Sequence, residues 1–162
     1  MNYTAIETAY AGCRFRSRIE ARWAVFLDTL GIGWQYEPQG FDLPSGRYLP
    51  DFLIELGDGF WWEVKGQPPS RRECDLGREL FAATKQFVYI AHGDIPRDGD
   101  EISRIENVGS ETRVRWFIHA GQIGFIPVTG YWGPEEKGVN HLRLVDAYTA
   151  ARSARFEHGE AA

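Results

Sequence analysis

The chain has 162 residues, enough to bury one substantial core, and its 43% apolar and 14% aromatic content excludes extended disorder. Its formal net charge of −5 excludes a uniformly basic surface, yet the average hides local clusters: four arginines lie between Arg14 and Arg22 against the single acid Glu20, and Lys65, Arg71 and Arg72 form a second basic group, whereas residues 93–136 hold eight acids and four basic residues. No apolar run approaches a membrane span, no signal-peptide core opens the chain, and Cys13 and Cys74 lack CxxC or paired-His spacing, so a cytoplasmic protein without zinc, iron–sulfur cluster, disulfide scaffold, membrane partner or small-molecule cofactor is expected.

Residues 17–31 have the pattern of an amphipathic helix: Ser17 as N-cap, Glu20 in the first turn, Ile19, Trp23, Phe26, Leu27 and Leu30 at helical spacing, and Gly31 at the end. Trp34–Glu37 and Phe41–Leu43 are short strand candidates separated by Pro38 and Gly40. Residues 48–55 and 60–65 form the clearest hairpin, joined through Gly57-Asp58-Gly59. Alternation puts Pro50, Phe52 and Ile54 on one face of the first strand and Asp51, Leu53 and Glu55 on the other; in the second strand Phe60, Trp62 and Val64 oppose Trp61, Glu63 and Lys65. A three-residue turn predicts Asp51 across from Lys65 with Glu63 on the diagonal, and a one-residue slip sends the acids to opposite faces. Residues 70–85 predict a second helix carrying Leu76, Leu80, Phe81 and Thr84 on one side, and Phe87–Ala91 a buried strand. Beyond Gly93, residues 94–110 are expected to be irregular. Arg113–Ile118 and Ile123–Val128 form a hairpin turning at Ala120-Gly121-Gln122. A Gly/Pro-rich link over 130–138 leads to a helix near Asn140–Phe156 with Leu142, Val145 and Tyr148 as its apolar contacts, and the tail after Glu157 frays. Residues 1–92 are thus expected as a core of mixed sheet flanked by helices, an α/β fold, with residues 93–162 packed on it as a loop, hairpin and helix within one domain.

Asp51, Glu63 and Lys65 carry the chemistry. Two carboxylates on neighbouring strands suit a hard divalent cation, which prefers oxygen ligands; the Val64 carbonyl is a candidate third donor. Lys65, two residues on and on the same face, is placed to orient a water or neutralise charge developing on a phosphate.

Pro50-Asp51, eleven intervening residues and then Glu63-Val64-Lys65 resembles the signature of the PD-(D/E)XK nuclease superfamily, and the order helix, strands, motif hairpin, helix, strand over residues 14–92 is similar to that superfamily's core. The resemblance implies a restriction-endonuclease-like fold, Mg²⁺ as cofactor (with Mn²⁺ able to substitute), DNA as partner and endonucleolytic hydrolysis by a metal-activated water. By position, Asp51 and Glu63 would bind metal and Lys65 would serve the nucleophile. Many members add an acid from the first helix; here that is Glu20, which would complete the metal site or hold Lys65. The order Glu20, Asp51, Glu63, Lys65 in a small chain looks most like phage junction-resolvase and transposon-nuclease members, and a homodimer is implied by the same resemblance. The chain lacks the C-terminal cysteine cluster and the Gln-x-x-x-Tyr element of exonuclease branches.

Each residue also has a plainer reading. Glu63 and Lys65 could form a cross-strand salt bridge, Glu20 could serve the helix dipole or pair with Arg16 one turn back, and Arg14, Arg16 and Arg18 could be a solvated helix entrance instead of phosphate contacts. Gln67 is a candidate substrate contact or a turn residue. Tyr36, Trp61 and Trp62 are candidates for base stacking, with core packing the default. The histidines lack ligand spacing, and Arg152, Arg155 and His158 are a charged face or a DNA clamp. The competing function is a non-catalytic nucleic-acid-binding or assembly module on a nuclease-like fold.

Overall fold

A computed structural model of the chain describes residues 5–99, 101, 104–128 and 138–156. The first elements are a small hairpin of β1 (Thr8–Tyr10) and β2 (Cys13–Phe15), turning at Ala11 and Gly12, both at positive φ. Helix α1 (Arg18–Leu30) starts where Ser17 accepts the Glu20 N–H and stops at Gly31, which takes the left-handed conformation at φ 73°. β3 (Gly33–Tyr36) follows, then the separate two-stranded β4 (Phe41–Leu43) and β5 (Gly46–Tyr48). The expected long strand 48–55 is therefore broken: Tyr48 ends β5, residues 49–51 cross between sheets, and β6 covers only Phe52–Glu55. Pro50 explains the break, because it has no N–H for a ladder and restricts Leu49.

β7 (Phe60–Lys65) pairs antiparallel with β6 in the register Phe52↔Trp62, Leu53↔Trp61 and Ile54↔Phe60. α2 (Arg71–Thr84) opens with a capping box in which Ser70 and Glu73 each accept the other's backbone N–H, and leads to β8 (Val88–His92), parallel to β7. β9 (Ile105–Asn107) lies inside the stretch expected to be irregular. Three residues between polar neighbours are too few for a periodic signal, yet β9 fills the sheet between β8 and β10 (Thr112–His119). β10 and β11 (Gln122–Pro127) form the expected hairpin through Ala120 and Gly121, both at positive φ, as a two-residue turn requires. The 130–138 link and the tail after Glu157 fall outside the described residues, apart from Gly138 at the end of the link. α3 (Leu142–Ser153) buries Leu144, Ala147, Tyr148 and Ala151; Leu142, expected inside, is 76% exposed.

The result is a mixed α/β fold whose seven-stranded sheet runs β11-β10-β9-β8-β7-β6-β3. Alternation along β6 and β7 sorts its two faces. Phe52, Ile54, Phe60, Trp62 and Val64 join the main core with α1, α3 and Trp116, whereas Leu53 and Trp61 face a second cluster with Leu80, Val88 and Ile90 beneath α2 and the β4–β5 hairpin. Asp51, Glu63 and Lys65 share the parity of Leu53 and Trp61, so they emerge at the end of the α2 face. No helix among the described residues is long and apolar enough to cross a membrane.

Candidate active site

Continuing the Phe52↔Trp62 register by one step sets Asp51 opposite Glu63, not opposite Lys65 as the turn length predicts. The difference is two residues, because Leu56 also joins the connection, accepting the Gly59 N–H at 3.1 Å. A two-residue shift preserves parity, so both acids and Lys65 stay on one face.

The carboxylates are fixed from both sides. Asp51 Oδ2 accepts the Val64 N–H at 2.7 Å, and Glu63 Oε2 accepts the Asp51 N–H at 3.2 Å and the Tyr48 hydroxyl at 3.2 Å. The other two oxygens face side-chain cations: Asp51 Oδ1 lies 2.9 Å from Arg16 Nη2, and Glu63 Oε1 lies 2.7 Å from Lys65 Nζ. Each cation has a second acid. Arg16 Nε is 2.6 Å from Glu37 Oε1, and Lys65 Nζ is 3.3 Å from Glu73 Oε1. Asp51 and Glu63 are buried, at 2% and 4% exposure.

Burial, then the neighbouring Glu63 and Glu20 charges, hold the Asp51 carboxyl well above its ordinary pKa despite Arg16 and the Val64 N–H. Burial likewise raises Glu63, against the opposing pull of Lys65. For Lys65, burial favours the neutral amine, but Glu63 and then Glu73 outweigh it and the pKa rises. Lys65 is therefore an ammonium at neutral pH, suited to donate a hydrogen bond and not to accept a proton. Burial and Glu63 also push the Tyr48 phenol up, so it remains a donor.

Glu20 sits at the other end of Asp51's neighbourhood. Its Oε2 accepts the Tyr36 hydroxyl at 2.6 Å and the Arg16 N–H at 3.2 Å, and its Oε1 accepts the Ser17 hydroxyl at 2.7 Å. Of the two roles expected for it, completing the metal site or holding Lys65, the second falls to Glu63 and Glu73. The Arg16 guanidinium, a candidate phosphate contact or partner of Glu20, bridges Glu37 and Asp51. Arg14 lies on β2, 4.0 Å from Glu7, Arg18 opens α1, and Gln67 is exposed just beyond β7. Trp62 is fully buried and Trp61 nearly so, which removes both from base stacking; Tyr36 is committed to Glu20. Arg152 donates to the Ile95 carbonyl at 2.9 Å, tying α3 to the loop after β8, and Arg155 is exposed; His158 lies outside the described residues.

Tyr48, Glu37, Arg47 and Glu73 have no sequence spacing that ties them to the motif. Only Glu73 left a trace, the Ser-x-x-Glu capping signature at 70–73, which reports its helix position and not its contact with Lys65. A cavity of about 200 Å³ opens beside these groups, lined by Arg16, Arg47, Tyr48, Glu63, Lys65 and Glu73, with apolar Leu49, Leu76 and Ile90.

Among the described residues, no group of three or more His, Cys, Asp or Glu side chains is arranged to hold a metal ion. Two carboxylates do converge, and among the described residues the four acids Glu37, Asp51, Glu63 and Glu73 outnumber the two cations Arg16 and Lys65 that contact them, with Glu20 held nearby by the Arg16 backbone N–H. Hard oxygen donors, burial and excess negative charge fit a divalent cation at Asp51 and Glu63, provided Oδ1 and Oε1 are released by Arg16 and Lys65. No family model, curated protein or solved structure matches the chain.

Proposed function

We propose that the protein is a Mg²⁺-dependent endodeoxyribonuclease with a restriction-endonuclease-like core of the PD-(D/E)XK type. One observation carries the reading: two buried carboxylates stand opposite each other on adjacent strands, each with one oxygen pinned by a backbone N–H, beside an ammonium on the same face and an open polar cavity. The element order α1, β3, β6–β7, α2, β8 is also similar to the superfamily's core.

In this reading Asp51 and Glu63 would hold the metal, with Mn²⁺ able to substitute. The bound ion supplies an activated water and relief of charge on the phosphoryl oxygens. Lys65, kept protonated by Glu63 and Glu73, orients the attacking water or donates to a phosphoryl oxygen as charge develops. Glu20 supports the site through Arg16 and Tyr36, and its charge adds to the attraction for a cation. Arg47 and Arg16 line the cavity and are the nearest groups for substrate phosphate, with Arg14, Arg18 and Gln67 farther along the surface. DNA is the partner, and two copies of the chain would serve to cut two strands.

The test is cleavage of plasmid, nicked, flapped and four-way DNA with Mg²⁺ or Mn²⁺. Asp51→Ala and Lys65→Ala are each expected to lower the rate by roughly 10²-fold or more. Undiminished cleavage by both would sink the assignment.

A second reading, a non-catalytic nucleic-acid-binding module, draws on Arg16 and Lys65 already neutralising the two carboxylates and on the lack of a three-acid cluster among the described residues. DNA binding without calorimetric binding of Mg²⁺ or Mn²⁺ would favour it.

A further inference from the structure

Arg16 is placed unusually for a phosphate-binding arginine. Its guanidinium is spent on two acids, yet its side chain is 57% exposed and borders the cavity. It contacts Asp51 through Oδ1, the oxygen not tied to the backbone, while the Val64 N–H keeps Oδ2. Releasing Oδ1 therefore leaves the Asp51 carboxylate in position.

The second acid, Glu37, is held for Arg16 at a conformational cost. Glu37 has φ 44°, in the left-handed region, immediately before Pro38, and its N–H donates to the Asp51 carbonyl at 2.8 Å. That bond keeps Glu37 alongside Asp51. Its Oε1 meets Arg16 Nε at 2.6 Å as a charge contact without hydrogen-bond alignment, so the pair has room to improve if the guanidinium turns. The Arg16 backbone is fixed meanwhile, since its N–H meets both Glu20 and the Tyr36 hydroxyl. Only the side chain needs to move.

We propose that Arg16 is a displaceable counter-ion. It holds the buried Asp51 carboxylate in the metal-free protein and withdraws onto Glu37 when a divalent cation takes Oδ1. The inference rests on the metal-site reading above. It makes Glu37 a positioning residue, because Glu37 acts on the metal only through where it draws Arg16. Competition has a defined consequence: the apparent affinity is reduced by the fraction of molecules in which Asp51 is free.

The experiment is calorimetric titration of Mn²⁺, without DNA, into the full-length wild type, Arg16→Ala, Glu37→Gln and Arg47→Ala proteins, with thermal melts to establish folding. If Arg16 covers Asp51 in about nine molecules of ten, Arg16→Ala binds Mn²⁺ up to ~10-fold tighter. Glu37→Gln, which removes the resting place, binds it several-fold weaker. Arg47→Ala removes a cavity-lining charge that does not touch Asp51 and is expected to have a smaller effect than Arg16→Ala. Equal tightening by Arg47→Ala and Arg16→Ala, or weaker binding by Arg16→Ala, overturns the proposal. Should Arg16→Ala not fold, tighter or unchanged binding by Glu37→Gln overturns it. Binding by the wild type with no change in either Arg16→Ala or Glu37→Gln removes this inference and leaves the nuclease reading standing; no Mn²⁺ binding by any protein removes both.

Discussion

Asp51 and Glu63 are neighbouring buried carboxylates, and as charged groups they burden the fold. Raised carboxyl pKa values mean that the folded state binds protons more tightly than the unfolded chain, whose carboxyls titrate near about 4. Their stabilising contribution is fully present below that value and is lost as pH rises through the raised folded values. Arg16 beside Asp51 and Lys65 beside Glu63 moderate the loss without cancelling it, whereas the Glu20 charge adds to it. In EDTA, the calorimetric melting temperature is expected to fall between pH 5 and pH 8, and Mg²⁺ to recover most of the loss at pH 8. Asp51→Asn removes one of two adjacent buried charges. It should flatten this slope and raise the metal-free midpoint at pH 8 by a few degrees, at about 2–4 °C per kcal/mol for a chain of this size. A wild-type midpoint that climbs across the same range would contradict the account. Lys65 is different: its pKa is raised, so no neutral amine is available as a base, and the Lys65→Ala loss should be nearly independent of pH between 6 and 8.

At the scale of elements, α2 links stability to the site through one residue. Glu73 completes the capping box with Ser70 and also meets Lys65, and its pKa is lowered: burial opposes ionisation, but the hydrogen bonds from Ser70 and the Lys65 charge prevail. Ser70→Ala is expected to cost about 1 kcal/mol in urea unfolding through the lost cap. Glu73→Gln keeps an acceptor for the Ser70 N–H and should lose less stability. Under the proposed nuclease function it should nonetheless lower the cleavage rate severalfold, since the Lys65 ammonium is then held by Glu63 alone. Equal activity of Glu73→Gln and wild type would mean that the Lys65–Glu73 contact is structural. This element also marks how far the sequence can be read. Ser17, Ser70, Gly31 and the alternation in 60–65 report local conformation, so α1, α2 and the face shared by Asp51, Glu63 and Lys65 were legible. Registration was not, because Leu56 looks like a strand residue until its carbonyl is seen closing a turn. The pairing of Arg16 with Asp51 joins residues 35 apart in sequence and brings together separate elements, and no periodicity encodes it. β9 was hidden for a related reason: Ile105 and Asn107 are buried by neighbours on β8 and β10, not by any pattern of their own.

At the scale of the molecule, the second half of the chain completes the core on which the motif hairpin stands. Trp62, between Asp51's partner Glu63 and Trp61, lies 5.8 Å from Trp116 and 6.0 Å from Phe125, and Phe26 of α1 lies 4.9 Å from Tyr148 of α3. The strands after β8 are tied back at several points: the His92 N–H donates to the Arg104 carbonyl, Arg115 donates to the Gly99 carbonyl, and Arg143 donates to the Leu30 carbonyl at the end of α1. Gly99 is at the centre of this closure, for a Cβ there would collide with the Val139 carbonyl oxygen. Since backbone must move to admit it, Gly99→Ala is expected to cost about 3 kcal/mol or more, read as a melting-temperature drop of roughly 6–12 °C. A stronger test removes the second half altogether. A fragment ending at residue 93 exposes the β8 edge and strips Trp62, Phe60 and Phe26 of their contacts with Trp116, Phe125 and Tyr148. Each such side chain contributes about 1.5–3 kcal/mol when fully buried, against a total stability of about 5–15 kcal/mol. The fragment should therefore show no cooperative unfolding transition and should bind ANS, although it contains every residue of the proposed metal site. A fragment that melts cooperatively and binds Mn²⁺ would show that α1, β6, β7 and α2 support the site without β9, β10, β11 and α3.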